Sequence, residues 1–96
     1  MSKEEIETKL KDFPAWKFDE ELNKLVSGFE FENYQQCVDF VNGVADFAED
    51  FRHHPDVFIH DQRFVSLFVS TGESNSITDA DFAFIKALEE ELVDAK

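Results

Sequence analysis

The chain has 96 residues, of which 43% are hydrophobic, and it carries a formal net charge of −13 at pH 7. That length predicts one domain over residues 1–96, and twelve phenylalanines supply enough core material to exclude a chain that is disordered throughout. The acidic charge argues against binding to nucleic acid backbones and against docking on anionic membranes, because both need clustered Lys and Arg.

The cysteine content and the first residues indicate where the protein works. Cys37 is the single cysteine, which excludes an intrachain disulfide and a zinc ribbon. It lies beside Val38 and Val41 in a helical pattern, which is typical of a small buried residue. The opening MSKEEIETKL is too polar for a signal peptide, and no apolar run approaches about 18 residues. We therefore expect a cytoplasmic protein.

The first third of the chain predicts a short helix and then a hairpin. Ser2 and Glu5 have the spacing of a capping box, and the helix that they begin should stop near Pro14. Residues 15–18 and 22–31 have the pattern of two strands, joined by an acidic turn.

A long helix is predicted from Asn33, where the apolar period changes to steps of three and four. It should end near His53 and His54, because Pro55 pushes the residue before it out of the helical region. The residues that carry the period are Tyr34, Cys37, Val38, Val41, Ala45, Ala48 and Phe51.

A second hairpin and a last helix complete the chain. Residues 57–60 and 64–71 have the pattern of two strands, and residues 72–76 have the composition of a loop. Thr78 and Asp81 then form a capping pattern for the final helix.

This order predicts an α+β fold, in which a four-stranded antiparallel sheet carries three helices on one face (α-β-β-α-β-β-α). The uncovered face of the sheet, on which Phe68 should lie, must meet solvent or another subunit. We therefore expect an oligomer.

The adjacent His53 and His54 allow three interpretations. At a helix end, an imidazolium interacts favourably with the helix dipole, by about 0.3–1 kcal/mol. A metal site would also need His60 with Asp56 or Asp61, but known zinc spacings are absent, and neighbouring helical residues point about 100° apart. As an acid/base pair, two imidazoles with a reference pKa of about 6.5 can donate and accept protons near neutral pH.

Motifs that follow one another over roughly residues 14–92 share the pattern of a known family. They are Trp16, Phe29-x-Phe31, Val44-Ala45-x-x-Ala48-Glu49, x-x-x-His53-His54-Pro55, Ser70-Thr71 and Ile77-Thr78-x-x-Asp81. The segment from Glu49 to Pro55 is the most specific of them. On these residues the chain resembles the pterin-4a-carbinolamine dehydratases, also known as dimerisation cofactors of a homeodomain transcription factor.

The resemblance implies dehydration of 4a-hydroxytetrahydrobiopterin to quinonoid dihydropterin, which recycles the cofactor of aromatic amino acid hydroxylases. It implies a homodimer or homotetramer and no cofactor, because the pterin is the substrate. His53 and His54 would be catalytic, with Glu49, one turn before His53, orienting its ring. The substrate-binding residues would be Trp16, Pro55, Thr71, Gly72 and Asp81.

The chain departs from the family pattern at Gly72, where a third histidine usually follows the Ser-Thr pair. His60 could take its place, although an exposed strand histidine is the simpler interpretation. Asp81 can equally serve only as the helix cap after Thr78, and Trp16 only as a core aromatic. The alternative function is therefore a non-catalytic oligomeric binding or scaffold protein that has lost the third histidine.

Overall fold

The computed structural model describes residues 1–72 and 76–93, so that part of the predicted loop at 72–76 lies outside the described residues. The predicted order of elements is confirmed. A π-helical turn over Glu89–Val93, which the sequence pattern did not indicate, extends the last helix. The helices are α1 (Lys3–Leu10), α2 (Tyr34–Phe51) and α3 (Asp79–Leu88), and the strands are β1 (Lys17–Asp19), β2 (Lys24–Glu30), β3 (Asp56–His60) and β4 (Phe64–Val69).

The four strands form one antiparallel sheet in the order β1-β2-β4-β3. Both predicted hairpins are present, and the central pair is β2 with β4, in which Leu25 lies opposite Val69. Strands β1 and β3 are therefore the two edges of the sheet. The α+β class with a four-stranded antiparallel sheet is confirmed.

The core lies between one face of the sheet and the helices. Alternate residues of the central strands point into it because successive strand side chains face opposite sides. The fully buried members are Leu25, Val65, Leu67 and Val69 of the sheet, Cys37 and Val44 of α2, and Phe84, Ile85 and Leu88 of α3. In the single chain one side of α2 is buried, through Cys37, Val44 and Ala48, whereas Tyr34 in its first turn is 57% exposed. None of the helices in the described ranges has the length and apolar character needed to cross a membrane.

The other face of the sheet, here called the outer face, carries aromatic side chains. Phe68 lies on it, as predicted, because it alternates with the buried Leu67 and Val69. His60 stacks between the rings of Phe58 and Phe64, with centroids 5.4 and 5.7 Å away. Phe58 is 59% exposed, so this face presents apolar surface to its surroundings.

Both predicted capping boxes begin their helices. In α1, the backbone N–H of Ser2 donates to Glu5 at 3.0 Å, and Ser2 Oγ accepts from the Glu5 N–H at 3.2 Å. Hydrogen bonds to the Glu5 carboxyl, first from the Ser2 backbone N–H and then from the Ser2 side chain, hold the pKa of Glu5 below its usual value. In α3, the Thr78 side chain accepts from the Ala80 N–H, and the Asp81 carboxylate accepts from the Thr78 N–H at 2.9 Å. The second box fixes the position of Asp81.

Candidate active site

The histidine pair lies just beyond the C-terminal end of α2. The helix ends at Phe51, and Arg52 is left-handed, with φ 62° and ψ 37°. The backbone N–H groups of Arg52 and His53 donate to the Ala48 carbonyl oxygen, which closes the helix. Because the backbone changes hand at Arg52, His53 and His54 do not continue the helical repeat. Their side chains enter different environments.

Asp81, in the first turn of α3, holds the ring of His53. Its Oδ1 lies 2.7 Å from Nε2 of His53. Its Oδ2 accepts hydrogen bonds from the Thr71 hydroxyl at 2.7 Å and from the Thr78 backbone N–H at 2.9 Å. Asp81 is 0% exposed, and both of its oxygens contact protein groups. The carboxylate therefore lies behind His53 rather than on a surface open to a ligand.

An aromatic cluster supports the same imidazole. The ring of Phe84 lies 5.2 Å from that of His53, between centroids, and it also contacts Phe47 and Phe51 of α2 at 5.5 and 5.6 Å. The side chain of His53 is consequently only 13% exposed. Phe84 was not among the predicted site residues. Its spacing of three residues from Asp81, which places both on one face of α3, was the available signal.

His54 and Glu49 form an exposed pair. Oε1 of Glu49 lies 3.4 Å from Nε2 of His54, and the two side chains are 78% and 62% exposed. The prediction that Glu49 orients the ring of His53 is wrong in this structure. The helix closes between these two residues, so the one-turn spacing no longer brings their side chains together. Glu49 is placed beside His54 instead.

The end of β4 reaches the start of α3 through Thr71. Backbone hydrogen bonds of 2.7 and 3.2 Å join Thr71 and Ser76, which brings the Thr71 hydroxyl to Asp81. Gly72 follows with φ 67°, and a Cβ built on it would meet no atom of residues 1–72 and 76–93 within 4 Å. Pro55 is half-buried between His54 and β3. The predicted residues His53, Thr71 and Asp81 thus form one cluster, with Gly72 beside it.

Trp16 and His60 lie away from this cluster. Trp16 is 3% exposed and lines a cavity of about 430 Å³ together with Leu10 and Pro14, so its ring is packed as a core aromatic. His60 pairs with Phe64 at the beginning of β4, whereas Gly72 follows the end of that strand. The position of His60 therefore prevents it from replacing a histidine at residue 72.

The cluster can support proton transfer. A carboxylate only accepts hydrogen bonds, whereas an imidazole can carry its hydrogen on either nitrogen and changes charge near neutral pH. His53 is thus oriented by Asp81, and the neighbouring His54 has access to water. Over residues 1–72 and 76–93, no three His, Cys, Asp or Glu side chains come close enough together to hold a metal ion.

A sheet covered by helices on one face, with an oriented histidine just beyond the long helix, defines a small α+β protein with a candidate acid/base site. The sequence model of the family described as pterin 4 alpha carbinolamine dehydratase matches residues 1–91 of this chain. The chain belongs to this family, and the resemblance inferred from its motifs is confirmed.

Relatives and a solved structure agree with this assignment. Proteins named "Putative pterin-4-alpha-carbinolamine dehydratase" include one from Thermomicrobium roseum, 38% identical over 85 residues, which are 88% of each chain. A similarly named protein from Gloeobacter violaceus is 39% identical over 90 residues, covering 92% of this chain and 97% of the relative. A transcriptional coactivator/pterin dehydratase from Brucella melitensis has the same fold, with a TM-score of 0.81 at 20% identity, over 96% of this chain and 97% of that one.

Proposed function

We propose that this protein removes water from 4a-hydroxytetrahydrobiopterin to give quinonoid dihydropterin, with His53 and His54 as the acid/base pair. The observation that carries the proposal is the placement of His53, whose Nε2 lies 2.7 Å from the buried Asp81 in a chain of this family. Such a reaction recycles the pterin cofactor of aromatic amino acid hydroxylases. No cofactor is needed, because the pterin itself is the substrate.

The reaction needs two proton transfers. One imidazolium protonates the 4a-hydroxyl, the C4a–O bond breaks, and water leaves. A neutral imidazole takes the proton from the pterin ring nitrogen, and the electron pair of that N–H bond forms the new C=N bond. We assign the second role to His53, which is oriented by protein contacts, and the first to His54, which is exposed and can be reprotonated from water. Each well-placed group of this kind contributes on the order of 10²–10⁴ to a rate.

The direct test is to generate the carbinolamine enzymatically and to follow quinonoid dihydropterin by its absorbance. We expect a rate above that in buffer, proportional to the protein concentration. Heat-denatured protein at the same concentration is the control for catalysis that does not require the folded protein. A rate that does not rise with added protein would refute the proposed activity and leave the family fold unaffected.

A second candidate is a non-catalytic oligomeric binding protein, and Gly72 is the observation that favours it. The family position usually occupied by a third histidine has no side chain here.

The exposed Val57 and Phe58 line, with Leu22 and Phe68, a cavity of about 380 Å³ that a second copy of the chain could cover. We propose a homodimer or homotetramer, which sedimentation would show as a multiple of 11.1 kDa.

Substituting Gly72→His is expected to raise dehydratase turnover and to lower stability. Among the described residues no atom lies within 4 Å of a Cβ at this position, so the side chain can leave the backbone without a clash there. However, residue 72 has φ 67°, and a residue with a side chain pays about 1–2 kcal/mol in the left-handed region. Turnover and urea denaturation would be measured on both proteins, with Gly72→Asn as the control for backbone strain. Unchanged turnover in both Gly72→His and His54→Ala would favour the binding protein.

A further inference from the structure

We propose that Asp81 is a positioning residue that keeps His53 in one tautomer. In that tautomer the ring hydrogen stays on Nε2, and the lone pair of Nδ1 is left to take the substrate proton. This inference rests on the proposed function for the identity of the substrate. The tautomer itself is a property of the free protein and can be measured without substrate.

The direction of each hydrogen bond follows from the groups that surround Asp81. Its Oδ2 faces the Thr78 backbone N–H at 2.9 Å, which can only donate. The Thr71 hydroxyl also donates to Oδ2, at 2.7 Å. Because a hydroxyl has a single hydrogen, the 2.9 Å contact between Thr71 Oγ1 and Thr78 Oγ1 must use the hydrogen of Thr78. The hydrogen bonds therefore run from Thr78 through Thr71 to Asp81.

The remaining oxygen of Asp81 determines the tautomer of His53. A buried carboxylate is tolerated when its oxygens accept hydrogen bonds, and Oδ1 has Nε2 of His53 at 2.7 Å. The carboxylate has no hydrogen to give, so Nε2 has to carry one. The ring contact with Phe84 restrains the same imidazole, and no partner reaches Nδ1 among the residues that the structure describes. Nδ1 is the basic nitrogen of the neutral ring.

Substituting Asp81→Asn tests this assignment because the shape is kept and one acceptor becomes a donor. The amide oxygen must occupy the place of Oδ2, since the Thr78 N–H cannot reverse. The amide NH₂ then faces Nε2 of His53 and requires it to accept. We expect the ring hydrogen to move to Nδ1, which removes the base. The dehydration rate should fall on the order of 10²-fold or more, by analogy with a catalytic histidine held in the wrong tautomer.

The experiment measures the ¹⁵N chemical shifts of the His53 ring at a pH where the ring is neutral, and then the dehydration rate. A matched control is Asp79→Asn, which removes the same charge from the first turn of α3 at a side chain that is 86% exposed. Thr71→Ser, which keeps the donating hydroxyl, is the conservative control inside the network. Both controls should keep the hydrogen of His53 on Nε2. Asp81→Asn should change the tautomer.

The outcomes separate this proposal from the proposed function. A wild-type spectrum with the hydrogen on Nδ1 overturns the positioning role whether or not the protein is active. This outcome is measured on the wild type alone, so a variant that fails to fold does not affect it. In a protein that has dehydratase activity, a changed tautomer in Asp81→Asn with an unchanged rate also overturns it. A wild-type ring with the hydrogen on Nε2, in a protein without dehydratase activity, supports the positioning by Asp81 and refutes the proposed function.

Discussion

Replacing His53 with glutamine is expected to lower the dehydration rate by on the order of 10²–10⁴, because the proposed base is lost. Glutamine separates the loss of the base from a loss of stability better than alanine does. Its amide NH₂ can still donate to Asp81, which is 0% exposed and would otherwise keep an unpaired oxygen at a cost of about 1–3 kcal/mol. The loss of rate can therefore be read as a loss of proton transfer, while the free energy of unfolding should change little.

The measurement is the rate of quinonoid dihydropterin formation with His53→Gln, compared with the same substitution at His60. His60 lies on the outer face between two phenylalanines, so His60→Gln should leave the rate unchanged. His54→Gln should also lower the rate without affecting stability, since its side chain is 62% exposed. If His53→Gln keeps a rate within about two-fold of the wild type, another group is the base and our assignment is incorrect.

Replacing Phe84 with alanine is expected to destabilise the fold by about 3–5 kcal/mol, which is the usual cost of emptying a buried phenylalanine site. Phe84 is 0% exposed and lies against Phe47 and Phe51 of α2 as well as against His53. The substitution thus removes packing between α2 and α3 and also one of the contacts that restrain the imidazole. We expect the remaining folded protein to be less active.

Urea denaturation gives this change in stability directly, provided that the transition is two-state. Tyr34→Ala is a suitable control, because the Tyr34 ring is 57% exposed at the start of α2 and its loss should cost no more than about 0.5 kcal/mol. A loss below about 1 kcal/mol for Phe84→Ala would mean that the cluster around His53 repacks easily. In that case the aromatic support of the imidazole is not specific.

The elements of this fold could be predicted because their signals are local. The capping boxes at Ser2 and Thr78 and the change from a period of two to a helical period at Asn33 all depend on residues a few positions apart. The packing of Cys37 against the core also followed from its neighbours, and it is fully buried.

The candidate site was harder to predict because two of its determinants have no signal in the neighbouring sequence. The left-handed Arg52 ends the helix before the histidines, and no rule identifies a non-glycine residue that will adopt φ 62°. This is why Glu49 was assigned to the wrong histidine. The contact of Asp81 with His53 joins residues 28 positions apart, and only the tertiary fold brings them together. The sequence did identify both as site residues, through the family motif.

Asp81 has one role in the fold and another in the candidate site. The same carboxylate closes the capping box with Thr78 and holds the imidazole of His53. The first turn of α3 and the orientation of the His53 ring therefore depend on the same side chain. Fraying of that first turn would release the His53 ring while the sheet is still intact, so the proposed activity should be lost on heating before global unfolding.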